Sequence, residues 1–303
     1  MSIASDEATA AAAELWADIE RTVLPLISSY RQQLRDLIIT KKPDDTLLTE
    51  ADTAVQRAIV DCILQHDPLA AIVAEEIQDV PPPSEASHHI YIIDPIDGTA
   101  EFVRPDRREF CSVICLLTDR TPTAALVIAP ELGTNRSPIT VAVTETSSGH
   151  ITINGATAET APSTARLASV TRSPATTPYL FERQLAEAGF RLKTRTTSQT
   201  IDMVRTAVDL SGYSDMDLDP FALFVRRDQK VWDGAAGMCL ALAAGKTVTD
   251  DSVANPRRRI DINLKQPEPQ FPLTIAGEPT VLQQFDPIAS RIHVTEELTQ
   301  QHE

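Results

Sequence analysis

The apolar run Ile90-Tyr91-Ile92-Ile93 passes without a polar spacer into Asp94-Pro95-Ile96-Asp97-Gly98-Thr99. Four apolar residues of this kind predict a short buried strand. Pro95 fixes φ and is expected to lift the chain out of that strand. Asp94 and Asp97 then stand three apart on a tight turn, where both carboxylates can face one site. The Ile96 carbonyl lies between them. Gly98 removes the side chain where an anion would approach the backbone, and a helix starting after Thr99 would aim free N–H groups at that anion. Taken alone, an Asp-Gly pair is a common turn.

Three more acidic positions occur at abrupt changes of pattern. Ala71–Ala74 reads as a short strand that runs into Glu75-Glu76. Asp52 opens a helical pattern in which Val55, Ile59, Cys62 and Ile63 share a face. Asp233 follows Trp232 at the start of a good helix former. Each has an ordinary structural use: a solvated strand end, a first-turn acid, an N-cap. Together they place carboxylates at strand ends and helix starts, where open sites of layered α/β proteins gather. Carboxylate oxygens are the hard ligands that Mg²⁺ prefers.

The rest of the chain reads as alternating elements. A helix or helix pair is expected over 7–39, kinked at Pro25, then a loop over 41–46 and a helix over 52–65. A loop follows over 79–89, with consecutive prolines. Strands are expected near 110–118, 123–129 and 139–144, with a hairpin at Asn154-Gly155. A strand near 167–171, helices near 176–188 and 198–210, an acidic loop over 211–220, a strand near 221–226 and a helix to about Ala244 complete the reading. A boundary near 147 would divide an N-terminal part, 1–147, carrying most of the acidic positions, from a C-terminal part, 148–303, carrying Asp233.

The net charge of -16 disfavours a nucleic-acid polymer as partner, because polyanion binding needs a basic face. A small phosphorylated molecule remains compatible, since cations held by carboxylates can in turn hold a phosphate. No apolar run approaches the ~20 residues that span a bilayer. The N-terminus lacks the basic stretch of a signal peptide, so a cytoplasmic location without a membrane partner is expected. Cys62, Cys111, Cys115 and Cys239 fit no zinc spacing and are expected as free thiols.

These blocks, in order and spacing, resemble the inositol monophosphatase superfamily over roughly residues 10–285. Its D-P-x-D-G-T block is Asp94–Thr99 here, its strand-E-E block Ile72–Glu76, and its W-D-x-A-A-G block Trp232–Gly237. A T-x-x-D helix start matches Thr49–Asp52, preceded by Lys41. The resemblance implies an αβαβα sandwich of the fructose-bisphosphatase type and a Mg²⁺-dependent, lithium-inhibited phosphatase using two or three ions. By the same resemblance, Glu75, Asp94 and the Ile96 carbonyl hold one ion. Asp94, Asp97 and Asp233 hold a second, and Glu75 reaches towards a third. Asp52 and Thr99 position the attacking water, Gly98, Thr99 and Lys41 contact the phosphate, and relatives are commonly homodimers.

Glu101-Phe102 after the motif resembles the branch that hydrolyses 3'-phosphoadenosine 5'-phosphate. The acidic segment 211–220, with Asp215, Asp217 and Asp219, points the other way unless cations intervene. A phosphocyclitol, phosphosugar or specialised nucleotide is the alternative substrate, and a non-catalytic phospholigand-binding relative the alternative role. Lys41, Arg104, Arg107, Arg108, Arg172, Arg195, Arg226 and Arg227 are the basic residues available for a second anion. Trp232 is expected as a core anchor, and His88-His89 as an exposed loop pair.

Overall fold

The computed structural model describes residues 3–42, 46–76, 80, 82–84, 86–172 and 177–292. Helices α1 (Ile3–Gln32) and α2 (Glu50–His66) flank a two-stranded hairpin, β1 (Ile39–Lys41) and β2 (Leu47–Thr49). The first large sheet follows: β3 (Ala71–Ala74), β4 (His89–Asp97), β5 (Cys111–Thr118), β6 (Thr121–Ala129), β7 (Ile139–Val143), β8 (Ile151–Ile153) and β9 (Ala156–Thr157), with the short α3 (Thr99–Phe102) after β4. Its strands lie in chain order; β3 and β4 are parallel and the remaining pairs antiparallel.

The second sheet uses β10 (Leu167–Val170), β11 (Arg191–Lys193), β12 (Phe221–Lys230), β13 (Thr247–Thr249) and β14 (Gln270–Gly277), in the order β11-β10-β12-β14-β13. Its helices are α4 (Leu180–Glu187), α5 (Gln199–Ala207), α6 (Val231–Ala243), α7 (Pro279–Phe285) and α8 (Ile288–Ile292).

Strand parity explains the layering. Tyr91, Ile93, Ile114, Leu126 and Ile128 point to one face of the first sheet and pack on Leu15, Ile19, Val55 and Ile59 of α1 and α2. Ile90, Ile92, Val113, Cys115 and Val127 point to the other face and pack on α5 and α6. The far face of the second sheet carries Val170, Val225 and Ile275 against α4, α7 and α8. With both faces covered, the strands read as continuous apolar runs rather than alternating ones. The result is the expected αβαβα sandwich, with α5 and α6 as its middle layer. Gly237 lets these two helices close up, because a Cβ there would stand 2.4 Å from the Met203 Cβ.

Several local expectations are corrected. The first helix runs through Pro25 but ends at Gln32, and the β1–β2 hairpin lies beyond its end. β4 does not end at Pro95 but continues to Asp97, and its ladder with β5 shifts register between Asp94 and Asp97. Such an irregularity is where a ladder tolerates a proline. Residue 147 lies between β7 and β8, which pair within one sheet, and the change of sheet comes between Thr157 and Leu167. β13, β14, α7 and α8 were not anticipated. Residues 43–45, part of the 79–89 loop and residues 173–176 lie outside the described residues. The cysteines are free thiols. No helix among the described residues is long and apolar enough to cross a membrane.

Candidate functional site

The parallel pairing of β3 with β4 sets Ala74 opposite Ile93, so Glu75, just past the end of β3, and Asp94, within β4, lie side by side on the same side of the sheet. The register shift after Asp94 brings Asp97 towards the middle layer, where Asp233 sits in the first turn of α6. Asp94, Asp97 and Asp233 each present an oxygen, and these three atoms lie within 4.8 Å of one another. They border a cleft of about 330 Å³ that is also lined by Glu75, Ile96, Gly98, Thr99, Ala100 and the β2 side of the hairpin.

Gly98 is required twice over. Its φ is 91°, and a Cβ would stand 2.9 Å from the Glu109 carbonyl oxygen. This residue caps α3, so the backbone turns at the cleft wall.

The α5 N-terminus fixes the carboxylates on its side. Ser198, the N-cap of α5, donates its hydroxyl to Asp97 at 2.7 Å, and the Thr200 N–H donates to the same oxygen at 2.7 Å. Gln199 donates its amide to Asp233 at 2.6 Å. The sequence predicts a helix near 198–210 but marks none of these three residues as part of the site. The available signal was a serine N-cap opening an amphipathic helix.

Asp52 serves two structures at once. One oxygen closes a capping box with Thr49, accepting from its N–H at 2.8 Å and its hydroxyl at 2.5 Å. The other lies 3.4 Å from the Thr99 hydroxyl, which also reaches the Ile96 carbonyl at 3.1 Å.

Glu75 is placed differently from the other acids. It lines the cleft, yet its carboxylate accepts from Lys42 at 2.7 Å, and Lys42 also pairs with half-buried Glu76. Lys41 is exposed on β1 and is not among the residues lining the cleft. Successive side chains of an extended segment point oppositely, so of two adjacent lysines Lys42 faces the acids.

The charges explain what such a site needs. Burial first, then the neighbouring carboxylates, raises Asp94 and Asp233 well above the usual carboxylate range. Burial likewise pushes Asp52 and Asp97 up to about 6 and Glu76 up to about 7. For Lys42, burial acts to lower the pKa, but Glu75 and Glu76 outweigh it and hold the ammonium above its ordinary value. Buried carboxylates in mutual contact are costly unless a cation shares them. The donor set is all oxygen and fits a hard divalent ion.

The other residues singled out lie elsewhere. His88 pairs with Asp119 and His89 with Asp67. Trp232 is a core residue of the middle layer. Asp215 is bound by Arg108 and Asp219 by Arg191, each at 2.8 Å, so two of the three loop acids have cationic partners.

The description of the Inositol monophosphatase family matches residues 6–296. The chain belongs to this family. Among curated relatives, a histidinol-phosphatase of Mycobacterium tuberculosis is 36% identical over 97 residues, 32% of this chain and 36% of that protein. The 3'(2'),5'-bisphosphate nucleotidase CysQ of Aggregatibacter actinomycetemcomitans is 30% identical over 100 residues, 33% of this chain and 37% of that protein. These matches span little more than a third of the curated family members' length. A solved IMPase/NADP phosphatase complexed with Mg²⁺ and phosphate superposes with a TM-score of 0.63 at 20% identity, covering 86% of this chain and 91% of that one. The family fold thus extends over nearly the whole molecule.

Proposed function

We propose that this chain is a Mg²⁺-dependent phosphatase that hydrolyses a phosphate monoester on a small molecule. The observation that carries the reading is the set of three carboxylates, Asp94 and Asp97 buried and Asp233 half-buried, with oxygens within 4.8 Å beside a glycine turn. Asp94, Asp97 and Asp233 would hold one ion. Glu75, Asp94 and the Ile96 carbonyl would hold another, with Glu75 exchanging Lys42 for it. When bound, the ions neutralise the phosphate and acidify water.

The chain's own groups do the positioning. Thr99, held between Asp52 and the Ile96 carbonyl, orients the attacking water, with Asp52 accepting through the Thr99 hydroxyl. The backbone at Gly98 and Thr99 borders the space for the phosphate. Lys41 contacts the phosphate only if the hairpin turns it inward, and Lys42 is the better-placed cation. Ser198, Gln199 and Thr200 keep Asp97 and Asp233 fixed, so little reorganisation is needed when charge develops.

For the substrate we favour 3'-phosphoadenosine 5'-phosphate. Glu101-Phe102 and the similarity to CysQ support it; the similarity to a histidinol-phosphatase supports an amino-alcohol phosphate instead. Phosphate release with Mg²⁺ across adenosine 3',5'-bisphosphate, inositol 1-phosphate, fructose bisphosphate and histidinol phosphate tests both levels. Mg²⁺-dependent release inhibited by lithium supports a phosphatase, and the preferred ester decides the branch. Tight binding without turnover on every ester would establish a non-catalytic relative.

A further inference from the structure

Beside Asp233, on the inner face of the second sheet, several buried polar atoms lack partners among the described residues. They are Gln199 Oε1, Arg226 Nε, Thr171 Oγ1 and Thr274 Oγ1. Gln199 is 8% exposed, Thr171 1% and Thr274 2%. An unpaired buried polar group is expensive, and such groups rarely cluster without a use.

Register and parity bring them together. Arg226 on β12 is paired with Thr274 on β14, so both stand on one face. Val170 is paired with Val225, which sets Thr171 beside Arg226 at the end of β10. Phe224 packs into the middle layer, whereas Val225, Leu273 and Ile275 pack on the outer one. Alternation therefore turns Arg226 and Thr274 inward, towards the starts of α5 and α6. Gln199 stands there, bonded to Asp233. Arg226 reaches Thr196 at 3.3 Å and remains partly exposed, so the edge of this cluster meets solvent at the arginine. Asp233 and Asp97 both act on its charge.

We propose that Arg226, with Gln199 and the two threonines, forms the subsite for the leaving alcohol and selects an ester whose alcohol carries its own anionic group. The inference rests on the phosphatase reading of the adjoining carboxylates. The chemistry is complementary: the Arg226 guanidinium donates to an anion, and Gln199 Oε1 accepts from a hydroxyl on the same molecule. A sugar with a hydroxyl and a second phosphate satisfies both. A cationic alcohol such as histidinol meets a fixed positive charge instead.

The test compares wild type, Arg226→Lys and Arg226→Met, each checked for folding by its melting temperature. Calorimetry measures binding of adenosine 5'-monophosphate and of adenosine, which differ only in the anionic group. Wild type is expected to bind the monophosphate about tenfold or more tightly than adenosine, consistent with one charge-assisted hydrogen bond. Arg226→Met is expected to lose that difference and Arg226→Lys to keep part of it. With Mg²⁺, Arg226→Met should raise KM for adenosine 3',5'-bisphosphate about tenfold while changing kcat/KM for p-nitrophenyl phosphate less than about twofold.

Equal binding of the monophosphate and adenosine by wild type, or an equal loss on both esters in a folded Arg226→Met, overturns the subsite. Absence of hydrolysis with Arg226-dependent monophosphate binding overturns the phosphatase reading and leaves the subsite standing. Efficient hydrolysis of histidinol phosphate, unaffected by Arg226→Met, does the reverse.

Discussion

The two walls of the cleft hold their carboxylates by different means. On the hairpin wall, Glu75 and Glu76 are paired by one ammonium, Lys42, which on the proposed reading a divalent ion would replace at Glu75. On the α5 wall, Asp97 and Asp233 are held by neutral donors, the Ser198 hydroxyl, the Thr200 N–H and the Gln199 amide. A neutral donor fixes a carboxylate without cancelling its charge, so that wall keeps its demand for a cation. A lysine cancels the charge and must move aside. One wall therefore holds its acids fixed while leaving their charge uncancelled, and on the proposed reading the other would exchange its partner for an ion.

Substitutions can break this contrast. The largest effect is expected at Asp94, which both walls share. Asp94→Asn should lower Mg²⁺-dependent phosphate release by about a thousandfold or more. It should also raise the melting temperature of the ion-free protein, because it removes one of several crowded negative charges. Calorimetry alongside the phosphate assay checks both; a fall in stability would refute the crowding argument.

On the α5 wall, Ser198→Ala removes an N-cap and an Asp97 donor together. A loss of about 1–2 kcal/mol in urea denaturation is expected, with roughly tenfold or more lower activity and the same sensitivity with or without Mg²⁺. The hairpin wall should behave otherwise. Lys42→Met should destabilise the ion-free protein by about 1–3 kcal/mol, since it leaves mostly buried Glu76 without its cation. That loss should shrink when Mg²⁺ is supplied, and an unchanged loss would mean the lysine and the ion do not share Glu75.

The contrast also shows in the slope of stability with pH. Burial raises Asp52 and Asp97 to about 6 and Glu76 to about 7 in the ion-free fold. These pKa values lie above those of the unfolded chain, so between them the folded state binds more protons. Stability must then fall as pH rises from about 4 to about 7. Melting temperatures across that range should decline without Mg²⁺ and flatten with it.

Much of this was legible in the residues. Ile90–Thr99, Ala71–Glu76 and Trp232–Gly237 each announced an apolar element meeting an acid, because a buried strand or helix start leaves a dense local pattern. The short pieces were not legible. β1, β2 and β13 are three residues each, too few for a period to show, and they exist because a neighbouring strand completes their hydrogen bonds. Pro95 misled for a related reason: a proline is barred from a regular ladder, yet here the ladder is irregular at that point.

By itself, the sequence determined which side chains carry charge and where strands give way to acids. Tertiary structure alone decided that Lys42 rather than Lys41 meets Glu75, that α5 supplies donors to Asp97 from 101 positions away, and that Arg226 turns inward beside Asp233. These outcomes depend on register and face. A shift of one residue reverses a side chain's direction, and packing of distant segments, not local pattern, sets that register.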